Sequence, residues 1–212
     1  MANDSPETER LLDQARQGET GAVDQLLVQH REPLRRMIDL RLDPALAGRV
    51  DASDIVQEVL LEASRRLTDY LRKPVMPFHL WLRHMARDHV IDAHRKHRKA
   101  QRRSLDREQP LRRMLPDQSS MDLAAEFMDH ELTPASAAIR QELQRRLESA
   151  VEMLEEDDRE VILMRHFEQL SNQEVATLLG LSEAAASMRY LRALRRLRTV
   201  LVPDGGEPTD GI

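Results

Sequence analysis

The chain has 212 residues, a formal net charge of −5 and no cysteine. That length allows one or two small domains. The missing cysteine excludes a disulfide framework, a thiolate metal site and a cysteine nucleophile, and no apolar run approaches the ~18 residues of a membrane span. Seven glycines and six aromatics, beside abundant Leu, Arg, Glu and Ala, favour helices over strands, so the expected fold class is all-α. The first residues, MANDSPETER, are acidic and polar rather than a secretory signal, and a cytoplasmic location is expected. Taken alone, a net charge of −5 argues against a nucleic-acid partner.

The charge is unevenly spread. Residues 83–105 carry eight bases against two acids, a net of +6. Residues 117–160 carry thirteen acids against four bases, a net of −9, and residues 184–203 carry five arginines and no acid. Two basic blocks flanking an acidic middle point to separate binding surfaces.

In chain order, Leu26, Leu27, Leu34, Ile38 and Leu42 mark helices around residues 20–42, broken by Asp43-Pro44 and Gly48. Ile55, Val56, Val59, Leu60, Ala63 and Leu67 recur at helical spacing, which predicts one amphipathic helix over 53–72 that Asp51 or Ser53 can cap. Pro74 and Pro77 end it. Phe78, Trp81, Leu82, Met85 and His89 predict a helix from 78 to 92, with Trp81 in the core, and a further helix continuing to 103 with the basic block. Pro110, Pro116 and Pro134 punctuate residues 104–136, which read as a linker with a helical piece around 123–128. Leu143, Leu147, Ala150, Val151 and Leu154 mark the next helix, Val161 to Met164 belong to another, and residues 204–212 read as a disordered tail. The expected organisation is two small helical domains, 1–103 and 137–203.

Residues 170–198 carry the most specific pattern. Ser171-x-x-Glu174 is a capping box, which satisfies the orphan amides at a helix start. Val175, Leu178 and Leu179 form an apolar face, and Ala176 is small where two helices cross. Gly180, the only glycine between Gly48 and Gly205, suits a left-handed turn. Leu181 is expected to plug the core at that turn and Ser182 to cap a second helix, which exposes arginines while Ala186, Leu194 and Leu197 pack inward. This is helix-turn-helix grammar, and such a helix fits the major groove with its first residues at base edges and its arginines on phosphates.

With these motifs in place, the chain resembles a bacterial RNA polymerase sigma factor of the two-domain extracytoplasmic-function (ECF) group of the sigma-70 family. DASDIVQEVLLEASRRL (residues 51–67) resembles region 2.2, with the D-x-V-Q-E core at Asp54, Ile55, Val56, Gln57 and Glu58. PFHLWLRHMARDHVIDAHRKHRKAQRR (77–103) resembles regions 2.3 and 2.4, and residues 170–198 resemble region 4.2. The resemblance implies a promoter-specificity subunit that binds core polymerase, through its β′ and β subunits, and directs recognition and melting of promoter DNA. Asp54, Ile55, Gln57 and Glu58 would dock on core. Arg83, Arg87, Asp88, Asp92, Arg95, Lys96, Arg98 and Lys99 would serve the −10 element, with a turn near 87–92 as the base-capturing loop. Asp88 stands where relatives often carry asparagine, and a carboxylate can only accept hydrogen bonds. Ala185, Ser187, Met188, Arg189, Arg192 and Arg195 would face the −35 duplex. Ser187 stands where relatives often carry lysine or arginine.

Other readings predict different behaviour. His84, His89, His94 and His97 lie among lysines and arginines that repel a cation, so neither a metal nor any cofactor is expected. No Gly-rich phosphate loop or nucleophile motif supports an enzyme. A stand-alone helix-turn-helix regulator would not need residues 51–103. An anti-sigma factor stays open as a partner.

Overall fold

The computed structural model describes residues 4–42, 50–101, 123 and 137–201, and all regular structure among them is helical. The chain divides into two compact units, Met1–Arg113 and Met114–Ile212. The stretch expected to be a linker lies outside the described residues except for Leu123, which is helical and fully buried. The expected disordered tail also lies outside them.

Among the described residues the first unit holds the helices α1 (Pro6–Arg16), α2 (Ala22–Asp39), α3 (Ala52–Arg72) and α4 (Phe78–Gln101). The sequence reading passed over α1, although its start is well marked. Ser5 accepts the Thr8 N–H at 3.2 Å, Pro6 occupies the first turn, and Glu7 and Glu9 suit the positive end of the helix dipole. In α2 the residues Leu26, His30, Leu34 and Ile38 recur every fourth position and face the core. Asp51, not Ser53, caps α3: its carboxylate accepts the Ser53 N–H at 2.7 Å, and that bond holds its pKa below the ordinary value.

α4 is one unbroken helix, which corrects the expected boundary near residue 92 and the expected turn at 87–92. No glycine or proline interrupts residues 78–101, and Met85, Ala86 and Val90 stay buried through that stretch. Packing therefore continues across the charged residues. The helix is started from a distance. Asp4 accepts the Phe78 N–H at 2.6 Å, the His79 N–H at 2.9 Å and a bond from His79 Nδ1 at 2.7 Å. Burial pushes the Asp4 carboxyl up, but the bonds from the His79 side chain and the two amides outweigh it and leave its pKa lowered.

At the α3–α4 corner, Tyr70 stacks on Trp81 at 4.6 Å between ring centroids, and Phe78 packs edge-on to Tyr70 at 5.5 Å. The Tyr70 hydroxyl donates to the Met76 carbonyl at 2.9 Å. Trp81 is thus a core residue, as expected. His30 of α2 joins this cluster, edge-on to Phe78 at 5.3 Å, with Nε2 3.2 Å from the Thr8 hydroxyl.

The second unit holds α5 (Ala137–Met153), α6 (Glu156–Ile162), a π-helical turn (Leu163–Phe167), α7 (Asn172–Leu179) and α8 (Glu183–Leu201). α8 packs against α5, α6 and α7. Its buried stripe is Ala186, Ala193 and Leu197, with the expected Leu194 only half-buried.

Burial is the main force that lowers the His30 pKa to about 4, with His79 and Arg83 acting in the same direction and Asp4 against them. The neutral ring is therefore favoured in the folded state. The resulting stability is fully present above the unfolded value near 6.5 and is lost as pH falls through that value towards about 4. A shift of this size is worth at most about 3 kcal/mol. Urea denaturation across that pH window will show the loss, and a His30→Gln variant will flatten this part of the profile.

Candidate nucleic-acid interface and docking edge

Helical spacing places Asp54, Gln57, Glu58, Leu61 and Arg65 along the exposed side of α3. Ile55 is not among them. It is 4% exposed and belongs to the core cluster, which corrects its expected place in a docking surface. An apolar residue that does stand out on this face, unnoticed in the sequence, is Leu61, 54% exposed. Glu58 also faces inward to α4. His89 Nδ1 lies 3.3 Å from Glu58 and its Nε2 lies 2.8 Å from Glu62, so the imidazole bridges two carboxylates across the helix pair. Bonds from His89 first, and then from Arg66, hold the Glu62 carboxyl below its usual value.

The −10 residues expected on α4 do not form one uniform basic surface. Arg83 is half-buried, and its charge helps to keep His30 neutral. Arg87 is half-buried, with Nε enclosed and lacking a hydrogen-bond partner among the described residues. Asp88 is exposed and faces His84 Nδ1 at 3.4 Å, while Asp92 pairs with Arg95 at 3.0 Å. Arg95 and Lys96 are exposed; Arg98 and Lys99 have their backbone in α4, and their side chains lie outside the described set. His84, His89 and His94 each take a separate partner, the last bonding the Arg41 carbonyl at 3.2 Å. Between α3 and α4, beside the 73–77 corner, lies an open groove of about 490 Å³ lined by Glu62, Arg66, Val75, Trp81, His84 and Asp88, among others.

The second unit carries the helix-turn-helix in full. Ser171 Oγ accepts the Glu174 N–H at 3.3 Å, and Glu174 accepts the Ser171 N–H at 2.7 Å, which closes the capping box. Gly180 ends α7 at φ 64°, with Gly180 N–H bonded to Thr177 and Leu181 N–H to Ala176. That pair of bonds is a Schellman ending. Leu181 is only half-buried, so it plugs the turn less completely than expected. Ser182 Oγ accepts the Ala185 N–H at 3.2 Å, and Asn172 ties the two helices by donating to the Glu183 carbonyl at 2.9 Å. Ala176 and Ala186 are both buried where small residues let α7 and α8 approach.

Ala185, Met188, Arg192 and Arg195 lie along one exposed stripe of α8, with Met188 62% exposed; Ser187 and Arg189 are half-buried at its margin. The arginines divide into two groups. Arg189 pairs with Asp157 at 3.3 Å, Arg192 lies 3.7 Å from Asp158, and Arg196 bonds Asp158 at 2.5 Å and Glu155 at 3.1 Å. The two acids hold the Arg196 guanidinium above its ordinary pKa. Arg195 and Arg198 form no ion pair with a described residue. The sequence reading missed this division because the paired residues are 32 to 41 positions apart. His166 bonds the Tyr190 hydroxyl at 2.6 Å, and Arg165 stacks over the Tyr190 ring at 5.3 Å, which further fixes α8.

Among the described residues, a helical unit whose last helix carries many charges is followed by a helix-turn-helix unit, the organisation of a transcription protein of the sigma class. Residues 27–100 match Sigma-70 region 2, and residues 144–197 match Sigma-70, region 4. The chain belongs to the sigma-70 family, in its ECF group, and is a sigma subunit of bacterial RNA polymerase. A probable RNA polymerase sigma factor, RfaY, of Xanthomonas campestris pv. campestris is 35% identical over 71% of this chain, although the match spans only 34% of that relative's length. The RNA polymerase sigma-H factor of Pseudomonas aeruginosa is 25% identical over 92% of this chain and 94% of its own. The ECF RNA polymerase sigma factor SigD of Mycobacterium tuberculosis is 29% identical over 89% of this chain and 81% of its own. Among solved structures, CnrH in complex with the cytosolic domain of CnrY superposes with a TM-score of 0.60 and 25% identity, covering 94% of this chain and 99% of that one. The sigma factor RpoE of Bartonella quintana, bound to the anti-sigma factor NepR, shares the fold with a TM-score of 0.57 and 19% identity, over 88% of this chain and 100% of that one.

A Cβ at Gly180 would meet no atom within 4 Å, so its left-handed backbone alone opposes substitution. Gly180→Ala is expected to destabilise the second unit by about 1–2 kcal/mol, read as a lower midpoint in urea with the slope unchanged.

Proposed function

We propose that the two units divide promoter recognition between them. The first docks on core polymerase through the exposed Asp54, Gln57 and Glu58 of α3 and engages the −10 element along α4. The second presents α8 to the −35 duplex. The observation that carries this reading is the placement of the two motifs: one helix pair offers exposed Asp54, Gln57 and Glu58 on one element and exposed Arg95 and Lys96 on the next, and a helix-turn-helix follows in a separate unit. An anionic edge suits arginines of a partner helix. The groove beside residues 73–77 suits an unstacked base better than the 87–92 stretch, because it combines the edge of Trp81 with hydrogen-bonding side chains from both helices. Melting a duplex needs cations on the phosphates, and Arg95 and Lys96 stand exposed for that role.

The partners are core polymerase and promoter DNA. An anti-sigma factor, the kind of protein bound in one structural neighbour, is a third. A stand-alone regulator would bind DNA without core, so the distinction is direct. Run-off transcription by core polymerase plus this protein, on a genomic fragment library with start sites read by sequencing, will yield discrete starts that vanish without the protein. Failure to co-elute with core in gel filtration would defeat the reading. Asp54→Ala combined with Glu58→Ala is expected to weaken core binding by roughly tenfold, by loss of charge-assisted bonds. The variant will unfold near the parent midpoint because Asp54 is exposed and the Glu58–His89 contact, with Glu58 64% exposed, contributes less than about 1 kcal/mol. Parental core affinity in that variant would refute the docking assignment.

A further inference from the structure

The first turn of α6 lies against α8, and its two aspartates are in different situations. Asp158 is 1% exposed and grips Arg196, so it acts as part of the fold. Asp157 is 74% exposed and holds Arg189, the more buried partner at 23%. An exposed ion pair contributes less than about 1 kcal/mol. A DNA phosphate binds a guanidinium with the same geometry as a carboxylate, so it can take the place of Asp157 but not of the enclosed Asp158. Arg189 sits in the first half of α8, one residue beyond the exposed Met188.

We propose that Asp157 is a built-in competitor with DNA phosphate for Arg189, and that it sets how tightly this sigma subunit holds duplex DNA. In the free protein the carboxylate occupies the guanidinium. On DNA the pair must open, and the cost of opening it is subtracted from every phosphate contact that Arg189 makes. Binding to arbitrary duplex is thereby held low, and the second unit relies on the rest of the promoter and on core polymerase to stay bound. The inference rests on the reading of α8 as the duplex-facing helix.

The test uses the full-length chain and a short fluorescein-labelled random-sequence duplex, titrated by anisotropy over a range of salt. Asp157→Asn keeps the shape and is well tolerated in a first helical turn; circular dichroism checks its fold. The variant is expected to bind roughly two- to fivefold tighter, the fold-change matching one exposed ion pair, and the salt slope will steepen by about one. In an Arg189→Ala background the same substitution is expected to bring no gain. An equal gain in both backgrounds would overturn the proposal, since it would mean only that a negative charge had been removed. No gain from Asp157→Asn, while Arg195→Ala weakens binding, overturns it and leaves the reading of α8 standing. If neither substitution changes binding, the reading of α8 falls with it.

Discussion

The corner between α3 and α4 is the constraint on which the first unit depends. Two prolines allow the chain to turn there, and the stacked Tyr70 and Trp81, with Phe78 against them, set how the two helices cross. Asp4 reaches the same corner from the far end of the sequence and satisfies the first amides of α4. Everything functional in this unit is referred to that crossing. The exposed Asp54, Gln57 and Glu58 of α3 and the exposed Arg95 and Lys96 of α4 sit on two helices whose relative rotation is fixed by one aromatic cluster. Buried aromatics serve this role because they combine large contact area with geometric preference.

The second unit solves a different problem. A helix with five arginines and a single acid, Glu183 at its first position, repels itself. The acids of α6 supply the counter-charge from outside the helix. Asp158 does so from a buried position, where losing its partner would leave an uncompensated charge in the interior. Arg196 is therefore structural, whereas Arg195 is exposed and forms no ion pair with a described residue. Glu155, Asp157 and Asp158 thus act locally on the helix they pack against. A net charge of −5 averages over these contacts and reveals none of their direction.

The helix-turn-helix was almost completely legible in the sequence, because its determinants are local. A capping box spans four residues, and a left-handed glycine is dictated by its own backbone. The α3 helix was legible for the same reason, through its periodic apolar face. Legibility failed where contacts were distant or where two signals conflicted. The family resemblance implied a turn near 87–92, yet the buried Met85, Ala86 and Val90 keep α4 continuous. Ile55, like Val56, fell inside a motif whose Asp54, Gln57 and Glu58 are exposed, and the motif alone could not separate the face it shares with the core. α1 had its signal in Ser5-Pro6-Glu7, but that signal was read only as polarity.

By itself, the sequence determined the helical class, the two-part organisation of motifs and the turn chemistry at Gly180. These follow from interactions within about one helical turn, whose strength does not depend on what lies elsewhere. Only the tertiary structure decided which charges are available. Asp4 caps a helix 74 residues away, His89 ties Glu58 to Glu62, and Asp157 and Asp158 take up three arginines of α8. Those pairings arise because packing brings distant side chains within a few ångströms, where Coulomb attraction and desolvation outweigh any preference written along the chain.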